Sequence, residues 1–302
     1  MKQDVYRMIE QTVRGAVKRN EPMSKHTSFR IGGPAELWVT PRSKKGLFAV
    51  LELCETRGIP YMIIGRGTNL LVRDGGIDGV VISLNDACRK LVINGEQVRV
   101  GAAVSLASLV KRCVPAGLGG LEFCTGIPGC VGGALAVNAG AFGQSIGNLL
   151  TQADVYDPKV RQVRTIQRDE VIFGYRKSTL AEFGVILEAE FTLKSSSPAE
   201  ISARIEDYAS RRKHTQPSGW KSAGCIFKNP AGHYAGELIE RLGFKGYVSG
   251  GAAVSTRHCN FIVNRGSARA TDVLGLIDEI KTRVLSSAGI LLEEEIQIVG
   301  RD

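Results

Sequence analysis

Glycine is concentrated in a few short segments of this chain, and these segments restrict its fold more than any other feature. The sequence has 36 glycines among 302 residues, against a usual share of about 7%. The longest cluster, residues 126–143, holds six glycines separated by small, mostly apolar residues. Its backbone can approach a ligand closely because it carries few bulky side chains. A flexible linker would be polar, so the sequence favours a binding surface here.

A second glycine loop follows a predicted strand at Tyr61–Ile64 and reads Gly65-Arg-Gly-Thr-Asn69. A dinucleotide-binding Rossmann loop needs a third glycine and a following helix. Here Leu70 stands at the third glycine position, and Leu70–Val72 continues as a strand, so the Rossmann interpretation fails. Successive backbone N–H groups in such a loop can hold a pyrophosphate. A tight hairpin is the alternative, and the loop alone does not decide between them.

Composition excludes several classes of protein. The net charge of +9 suits an anionic partner such as a nucleotide, but the basic residues are scattered and no RNA-binding motif occurs, so we expect no nucleic-acid partner. No apolar run reaches the roughly 20 residues of a membrane helix, and the charged N-terminal segment lacks a secretory signal. We therefore expect a cytoplasmic protein without membrane insertion. The seven cysteines and four histidines show no metal-ligand spacing, so we expect no metal.

Short strands that do not alternate regularly with helices predict an α+β fold. A helix is predicted over 43–57, with Ser43 as its N-cap and Gly58 after its end. The apolar spacing predicts further helices over 4–18, 105–114, 199–212, 235–242 and 271–287.

Three further segments carry residues capable of chemistry. Ser222–Pro230 places Cys225 three residues before Lys228, and a nearby cation would favour the reactive thiolate. Leu292–Ile296 contains three consecutive acids, of which Glu293 and Glu295 would share one side of a strand. Phe173–Ser178 contains Tyr175-Arg176, which suits a carboxylate substrate. A buried structural cysteine, a solvated acidic face and a surface pair are the respective alternatives.

Taken in order, these motifs resemble those of one family, the UDP-N-acetylenolpyruvoylglucosamine reductases, over the whole chain. The matching segments are Thr27–Gly33, Ile64–Leu71, Gly120–Gly133, Asn138–Gly143, Tyr175–Ser178, Ala223–Pro230, His258–Asn264 and Leu292–Ile296. The short spacing between Arg176 and Cys225 is similar to that of the family's second type, which lacks an additional substrate loop.

The resemblance implies a vanillyl-alcohol-oxidase/PCMH-type FAD-binding fold with a C-terminal α+β substrate-binding domain. It implies a first FAD-binding subdomain over 1–84 plus 290–302, a second over 85–205, and a substrate-binding domain over 215–289. The PCMH-type FAD-binding region would cover about 30–194.

The resemblance also implies the ligands and the residues that contact them. The cofactors would be non-covalent FAD and NADPH, and the substrate UDP-N-acetylglucosamine enolpyruvate, reduced to UDP-N-acetylmuramate for peptidoglycan synthesis by a monomer. The positions matching FAD contacts are Ile64, Gly65, Arg66, Gly67, Thr68, Asn69, Gly126, Ile127, Pro128, Gly129, Val131, Gly132, Gly133, Asn138, Ala139 and Gly140. Expected substrate contacts are Tyr175, Lys213, Lys228 and Asn229.

Three positions match the family's catalytic residues: Arg176 and Glu295 would stabilise the anionic intermediate, and Cys225 would donate the proton. Most members have serine at the position of Cys225, so the chain departs from the commonest pattern there. Two other functions stay open on sequence grounds. One is another FAD-dependent oxidase of this fold, for which Cys130 could be a covalent tether, and the other is a non-catalytic UDP-sugar-binding protein.

Overall fold

The computed structural model describes residues 2–302, which contain seven α-helices and twenty strands. The helices are α1 Lys2–Thr12, α2 Lys44–Arg57, α3 Leu106–Cys113, α4 Val131–Ala136, α5 Pro198–Thr215, α6 Ala235–Arg241 and α7 Ala270–Ala288. The strands are β1 Gly15–Pro22, β2 Pro34–Pro41, β3 Tyr61–Ile64, β4 Leu70–Val72, β5 Ile77–Ser83, β6 Leu91–Asn94, β7 Gln97–Gly101, β8 Leu118–Gly119, β9 Gly140–Ala141, β10 Gln144–Ser145, β11 Leu150–Asp157, β12 Gln162–Gln167, β13 Phe173–Gly174, β14 Lys177–Ser178, β15 Val185–Thr192, β16 Lys194–Ser195, β17 Val248–Ser249, β18 Ala252–Val254, β19 Ile262–Asn264 and β20 Gln297–Val299.

The chain forms two compact units, each assembled from three stretches of sequence. The first unit comprises Met1–Arg19, Leu37–Arg66 and Gly79–Arg211, and the second comprises Asn20–Glu36, Gly67–Asp78 and Arg212–Asp302. The three-region division predicted from the sequence stays a prediction.

The first unit is built around an antiparallel five-stranded sheet in the order β12-β11-β15-β7-β6. A second sheet has the order β1-β2-β5-β3, with β3 parallel to β5. Helix α2 contributes Leu47, Val50, Leu51 and Cys54 to the buried core of this unit.

The second unit has its own hydrophobic core. A three-stranded sheet, β17-β18-β19, accompanies the parallel pair β4 and β20. Helix α7 buries Val273, Leu276, Ile277, Ile280 and Val284, which follow the three- and four-residue spacing of a helix face.

The end signals of α2 are confirmed. The Ser43 side chain accepts a hydrogen bond from the Gly46 amide, and Gly58 adopts the left-handed conformation at φ +61°. The predicted helix over 4–18 is wrong beyond Thr12, because the chain enters β1 at Gly15. A Cβ at Gly15 would lie 2.1 Å from the Thr40 carbonyl oxygen, so this close backbone approach competes with continuation of the helix.

The hairpin interpretation of the loop at 65–69 is wrong. Strand β3 pairs in parallel with β5, whereas β4 pairs in parallel with β20. The two strands that flank the loop therefore have different partners, and the loop is a crossing between sheets.

Candidate active site

The glycine segment at 126–133 presents main chain rather than side chains. Gly126 and Gly129 have φ angles of +74° and +144°, where a side chain would be strained. The Gly132 amide donates to the Ala102 carbonyl at 2.9 Å, and a Cβ on Gly132 would lie 2.8 Å from the Ala102 Cβ. Gly126 and Gly133 are exposed, so a ligand can reach the backbone here.

Gly65 lies against this segment. A Cβ at Gly65 would be 2.5 Å from the Cys130 Sγ, so this position tolerates no side chain without a rearrangement. The nearby Thr125 Oγ1 is buried and has no hydrogen-bond partner among residues 2–302, although buried polar groups are ordinarily paired. Close backbone approach and an unpaired hydroxyl fit the FAD expected from the sequence.

Several positions predicted to bind the cofactor can contribute little through their side chains. Ile64 is 2% exposed and Val131 is fully buried, so neither side chain presents surface to a ligand. Asn138 is buried, its Nδ2 donates to the Gly174 carbonyl at 2.8 Å, and its Oδ1 accepts from the Gly147 amide at 3.0 Å. The Asn138 amide therefore holds two neighbouring loops.

Arg176 lies in the turn between β13 and β14. The register pairs Phe173 with Ser178 and Gly174 with Lys177, which leaves Tyr175-Arg176 as a two-residue turn. Arg176 has a φ of +52°, a conformation that costs about 1–3 kcal/mol in a non-glycine residue. Its guanidinium carbon is 5.2 Å from the ring centroid of exposed Tyr175, within cation–π range. The turn thus carries a cation and an aromatic ring together.

In the second unit, the end of the loop at 65–69 is joined to the segment that carries Glu295. The Asn69 Nδ2 donates to the Glu295 carbonyl at 3.0 Å, and the Asn69 carbonyl accepts from the Gln297 amide at 2.9 Å. Gly67, at φ +60°, approaches the His26 carbonyl so closely that a Cβ would lie 2.1 Å from its oxygen. The loop conformation therefore depends on glycine at Gly67, and Asn69 fixes the main chain of Glu295.

Cys225 is half-buried. The Asn260 side chain hydrogen-bonds to the main chain of the same segment, two residues beyond Cys225. The Asn260 Oδ1 accepts from the Phe227 amide at 2.9 Å, and its Nδ2 donates to the Phe227 carbonyl at 2.8 Å. The Ile226 amide donates to the Asn260 carbonyl at 2.8 Å. Sequence reasoning did not identify Asn260 as functional, although a polar residue among apolar neighbours in the motif His258–Asn264 was the available signal.

Cys225 and Glu295 lie on adjacent main-chain segments, because the Glu295 amide donates to the Ile226 carbonyl at 2.7 Å. The other two acids of the run have cationic partners: Glu293 pairs with Lys228 at 3.2 Å and Glu294 with Lys281 at 2.7 Å. Glu293, with a side chain 70% exposed, matches the solvated face considered for this run. The ion pair with Glu293 also offsets the charge of Lys228.

Asn229 and Lys213, both expected to contact substrate, differ in their surroundings. The Asn229 Oδ1 accepts from the Ala235 amide at 3.0 Å, at the start of α6. Lys213 is exposed near the end of α5, and its carbonyl accepts from the Arg257 side chain at 2.7 Å.

Among residues 2–302, no helix has the length and apolar character to cross a bilayer. Within the same described residues, no group of three or more His, Cys, Asp or Glu side chains is arranged to hold a metal ion.

Comparison with known proteins gives matches over nearly the whole chain. A family model described as UDP-N-acetylenolpyruvoylglucosamine reductase, C-terminal domain, matches residues 216–299, and one described as FAD binding domain matches 35–165. Relatives named UDP-N-acetylenolpyruvoylglucosamine reductase include those of Clostridioides difficile, 42% identical over 99% of each chain, and Geobacter metallireducens, 43% identical over 100% of each. The solved reductase of that name from Thermus caldophilus is 35% identical, covers 94% of this chain and 98% of its own, and has a TM-score of 0.79. The predicted α+β fold with an FAD-binding domain is confirmed.

Proposed function

The chain belongs to the UDP-N-acetylenolpyruvoylglucosamine reductase family, and we infer that it reduces UDP-N-acetylglucosamine enolpyruvate to UDP-N-acetylmuramate in peptidoglycan synthesis, with FAD as cofactor and NADPH as reductant. The observation that carries this function is the full-length match to reductases of that name, which includes the FAD-binding and C-terminal domains together. Bound FAD would supply hydride transfer, and the protein supplies placement and electrostatics.

The glycine loops would hold this cofactor through main-chain N–H groups. Gly65–Asn69 suits the pyrophosphate because successive amides form an anion-binding nest. Residues 126–133 and 138–140 would lie along the cofactor, as exposed Gly126 and Gly133 support.

Arg176 and Glu295 would stabilise the negative charge that develops on the substrate beside its carboxylate. Arg176 offers charge-assisted hydrogen bonds to an enolate oxygen. Glu295 must carry a proton or share a cation in that state, because two bare negative charges would repel one another. Its main chain is held by Asn69 and by Ile226, which would fix the direction of the carboxyl group.

Cys225 would deliver the proton to the substrate carbon. A thiol is intrinsically more acidic than the serine hydroxyl that most members have here, so it can donate at least as readily while it stays protonated.

Tyr175, Asn229, Lys213 and Lys228 would contact the substrate, with Lys213 directed at the diphosphate. We place the enzyme in the cytoplasm, since NADPH and nucleotide sugars are cytoplasmic metabolites. We also propose that it is a monomer. Cell shape, the cell cycle and cell division would depend on it through the peptidoglycan that its product builds.

Stopped-flow absorbance of the flavin tests this function in two stages. NADPH is added without oxygen, and UDP-N-acetylglucosamine enolpyruvate is added afterwards. We expect loss of the flavin absorbance with NADPH and rapid recovery with the enolpyruvyl substrate. Flavin absorbance that recovers only with oxygen, and not with the enolpyruvyl substrate, would instead indicate an oxidase. Flavin absorbance that does not respond to NADPH would indicate a binding protein.

Two variants of Cys225 separate the proton donor from the rest of the site. We expect Cys225→Ala to respond normally to NADPH and to recover slowly with substrate, whereas Cys225→Ser recovers well. Equal recovery rates in Cys225→Ala and the parent enzyme would remove Cys225 from the mechanism. Size-exclusion chromatography with light scattering checks the monomer.

A further inference from the structure

The hairpin of β13 and β14, whose turn carries Tyr175 and Arg176, is too small to hold its own shape. Its two strands form a separate sheet with two residue pairs, and an isolated two-stranded hairpin is marginally stable in water. Arg176 also has a left-handed backbone, a conformation that persists only where the surrounding structure enforces it. The position of the turn therefore depends on contacts with neighbouring segments of the first unit.

Arg168 makes three contacts at the base of this hairpin. It lies in the short 3₁₀ turn at Arg168–Glu170, just before β13. Its Nε donates to the Gly147 carbonyl at 2.9 Å, and its Nη1 donates to the Val171 carbonyl at 3.1 Å. Its guanidinium carbon lies 4.7 Å from the ring centroid of Phe173, within cation–π range. One half-buried guanidinium thus joins the loop at Gly147 to the first residue of the hairpin.

The Phe173 ring also packs directly on the main chain at Gly147. A Cβ at Gly147 would lie 2.6 Å from this ring and 2.8 Å from the Asn138 Oδ1. The Gly147 amide donates to the same oxygen, and the Asn138 Nδ2 donates to the Gly174 carbonyl. Arg168 and Asn138 therefore hold adjacent residues of β13 to one loop, from two separate side chains.

The chemistry of the Arg168 contacts requires arginine. Within residues 2–302, Arg168 forms no ion pair, so its charge is directed at two carbonyl oxygens and a ring. Hydrogen bonds from a charged donor are stronger than neutral ones. The planar guanidinium presents its donors in a fixed fork, whereas a lysine ammonium is a single point of charge on a flexible stem. Lysine could therefore replace part of these contacts and glutamine fewer.

We propose that Arg168 is a positioning residue for Arg176, because it fixes the base of the hairpin whose turn presents Arg176 to the substrate. The proposal rests on the proposed function for the role of Arg176 itself. Arg168 lies outside the motif Tyr175–Ser178, and no sequence pattern connects it with Gly147 or Phe173.

Hydrogen exchange followed by mass spectrometry tests these contacts in the full-length protein without any measurement of activity. Loss of a hydrogen bond from a charged donor should raise local opening by about tenfold. We therefore expect peptides that contain residues 172–179 to exchange about tenfold faster in Arg168→Gln than in the parent, with Arg168→Lys between the two. Peptides from α2 should be unchanged. Arg164→Gln, which replaces an exposed arginine of β12, is the matched control and should exchange like the parent.

A double-mutant cycle then tests whether Arg168 acts through Arg176. A misplacement of about 1 Å can cost about 10²-fold in rate, so we expect Arg168→Gln to slow the recovery of flavin absorbance at saturating enolpyruvyl substrate by about 10- to 100-fold. Flavin reduction by NADPH should keep its rate. In an Arg176→Gly background, Arg168→Gln should cost less than about twofold, because the effects of coupled residues do not add.

The outcomes separate this proposal from the function itself. Parent-like exchange of residues 172–179 in both Arg168 variants would overturn it, whatever the activity. An equal fractional loss of rate with and without Arg176 would also overturn it, because Arg168 would then act by another route. Faster exchange in α2 as well would indicate a general loss of stability and count against it. If exchange rises only around the hairpin but the parent does not reduce the enolpyruvyl substrate, the proposed function fails and the role of Arg168 in fixing the hairpin stands.

Discussion

Cys225 and Arg176, both proposed to act on the substrate, are held in different ways. Cys225 lies on a segment fixed on both sides by main-chain hydrogen bonds, from Ile226 to the Asn260 carbonyl and from the Glu295 amide to Ile226. Arg176 lies in a two-residue turn whose neighbouring Gly174 accepts a hydrogen bond from Asn138. One residue is part of an extended network, and the other is at the tip of a short hairpin.

Because Arg176 and Cys225 are held differently, we expect substitutions near them to differ in how far they affect catalysis and stability. The left-handed conformation of Arg176 costs about 1–3 kcal/mol, which the fold must offset elsewhere. Replacing Arg176 should therefore change the chemistry while the fold tolerates it well. Replacing a residue that holds the Cys225 segment should lower both the rate of substrate reduction and the stability of the fold, because buried polar groups would lose their hydrogen-bond partners.

The largest expected effect is that of Arg176→Gly on substrate reduction. Loss of a group that stabilises a developing anion typically costs about 10²–10³ in rate, whereas glycine adopts the left-handed conformation without strain. We expect a rate loss of that size in the recovery of flavin absorbance, with a stability at least equal to that of the parent, because the backbone strain at this position is relieved. Arg176→Asn, which also tolerates a positive φ, is the control. A large loss of stability in both variants would contradict the expectation that the fold tolerates substitution at Arg176.

Next is Asn260→Ala, which leaves the Phe227 amide and carbonyl unpaired. Each buried group left without a partner costs about 1–3 kcal/mol, so we expect a clear decrease in the free energy of unfolding by urea. Recovery with the enolpyruvyl substrate should also be slower, while the response to NADPH is retained. Asn94→Ala, at an exposed position of β6, serves as control. Unchanged stability would show that the Cys225 segment does not depend on Asn260.

A smaller effect is expected for Asn138→Gly, which keeps the backbone at φ +49° and removes the amide that binds Gly174. We expect about a tenfold decrease in kcat, equivalent to about 1.4 kcal/mol, because the Arg176 turn loses one of its contacts. FAD affinity should be nearly unchanged. If FAD binding weakens and kcat does not, Asn138 acts on the cofactor rather than on the hairpin, as the sequence predicted.

The smallest effect concerns His258, whose Nδ1 accepts a hydrogen bond from the Asn260 amide at 3.3 Å. Burial lowers the pKa of His258, so the folded protein keeps it neutral, whereas the unfolded chain takes up a proton near pH 6.5. Stability should therefore fall as pH decreases through about 6.5. Urea unfolding at pH 7.5 and 5.5 measures this, and the decrease should be weaker in His258→Gln than in the parent or the exposed control His233→Gln. Equal decreases in stability in all three proteins would show that His258 does not cause the pH dependence.

The sequence predicted features that depend on neighbouring residues. Ser43 and Gly58 mark the ends of α2 because helix capping is local. The partners of β3 and β4 were not predictable from their own residues, since β5 and β20 lie elsewhere in the chain.

The candidate site shows the same contrast between residues that a local motif identifies and contacts that depend on distant parts of the chain. Arg176, Cys225 and Glu295 were identified through the family resemblance, and their roles stay predictions. The supports of these residues were not identified, because Asn260 binds a residue 33 positions away and Asn69 one 226 positions away.

The pairing of β4 with β20 also has a consequence for biosynthesis. A ribosome makes Asn69 and β4 early, and Glu295 follows 226 positions later. At about 5–20 residues per second, β4 waits for roughly 10–45 s before its parallel partner exists. During that interval the three apolar residues of β4 have no strand with which to pair. The parallel pair of β4 and β20 can therefore form only after nearly the whole chain has been synthesised.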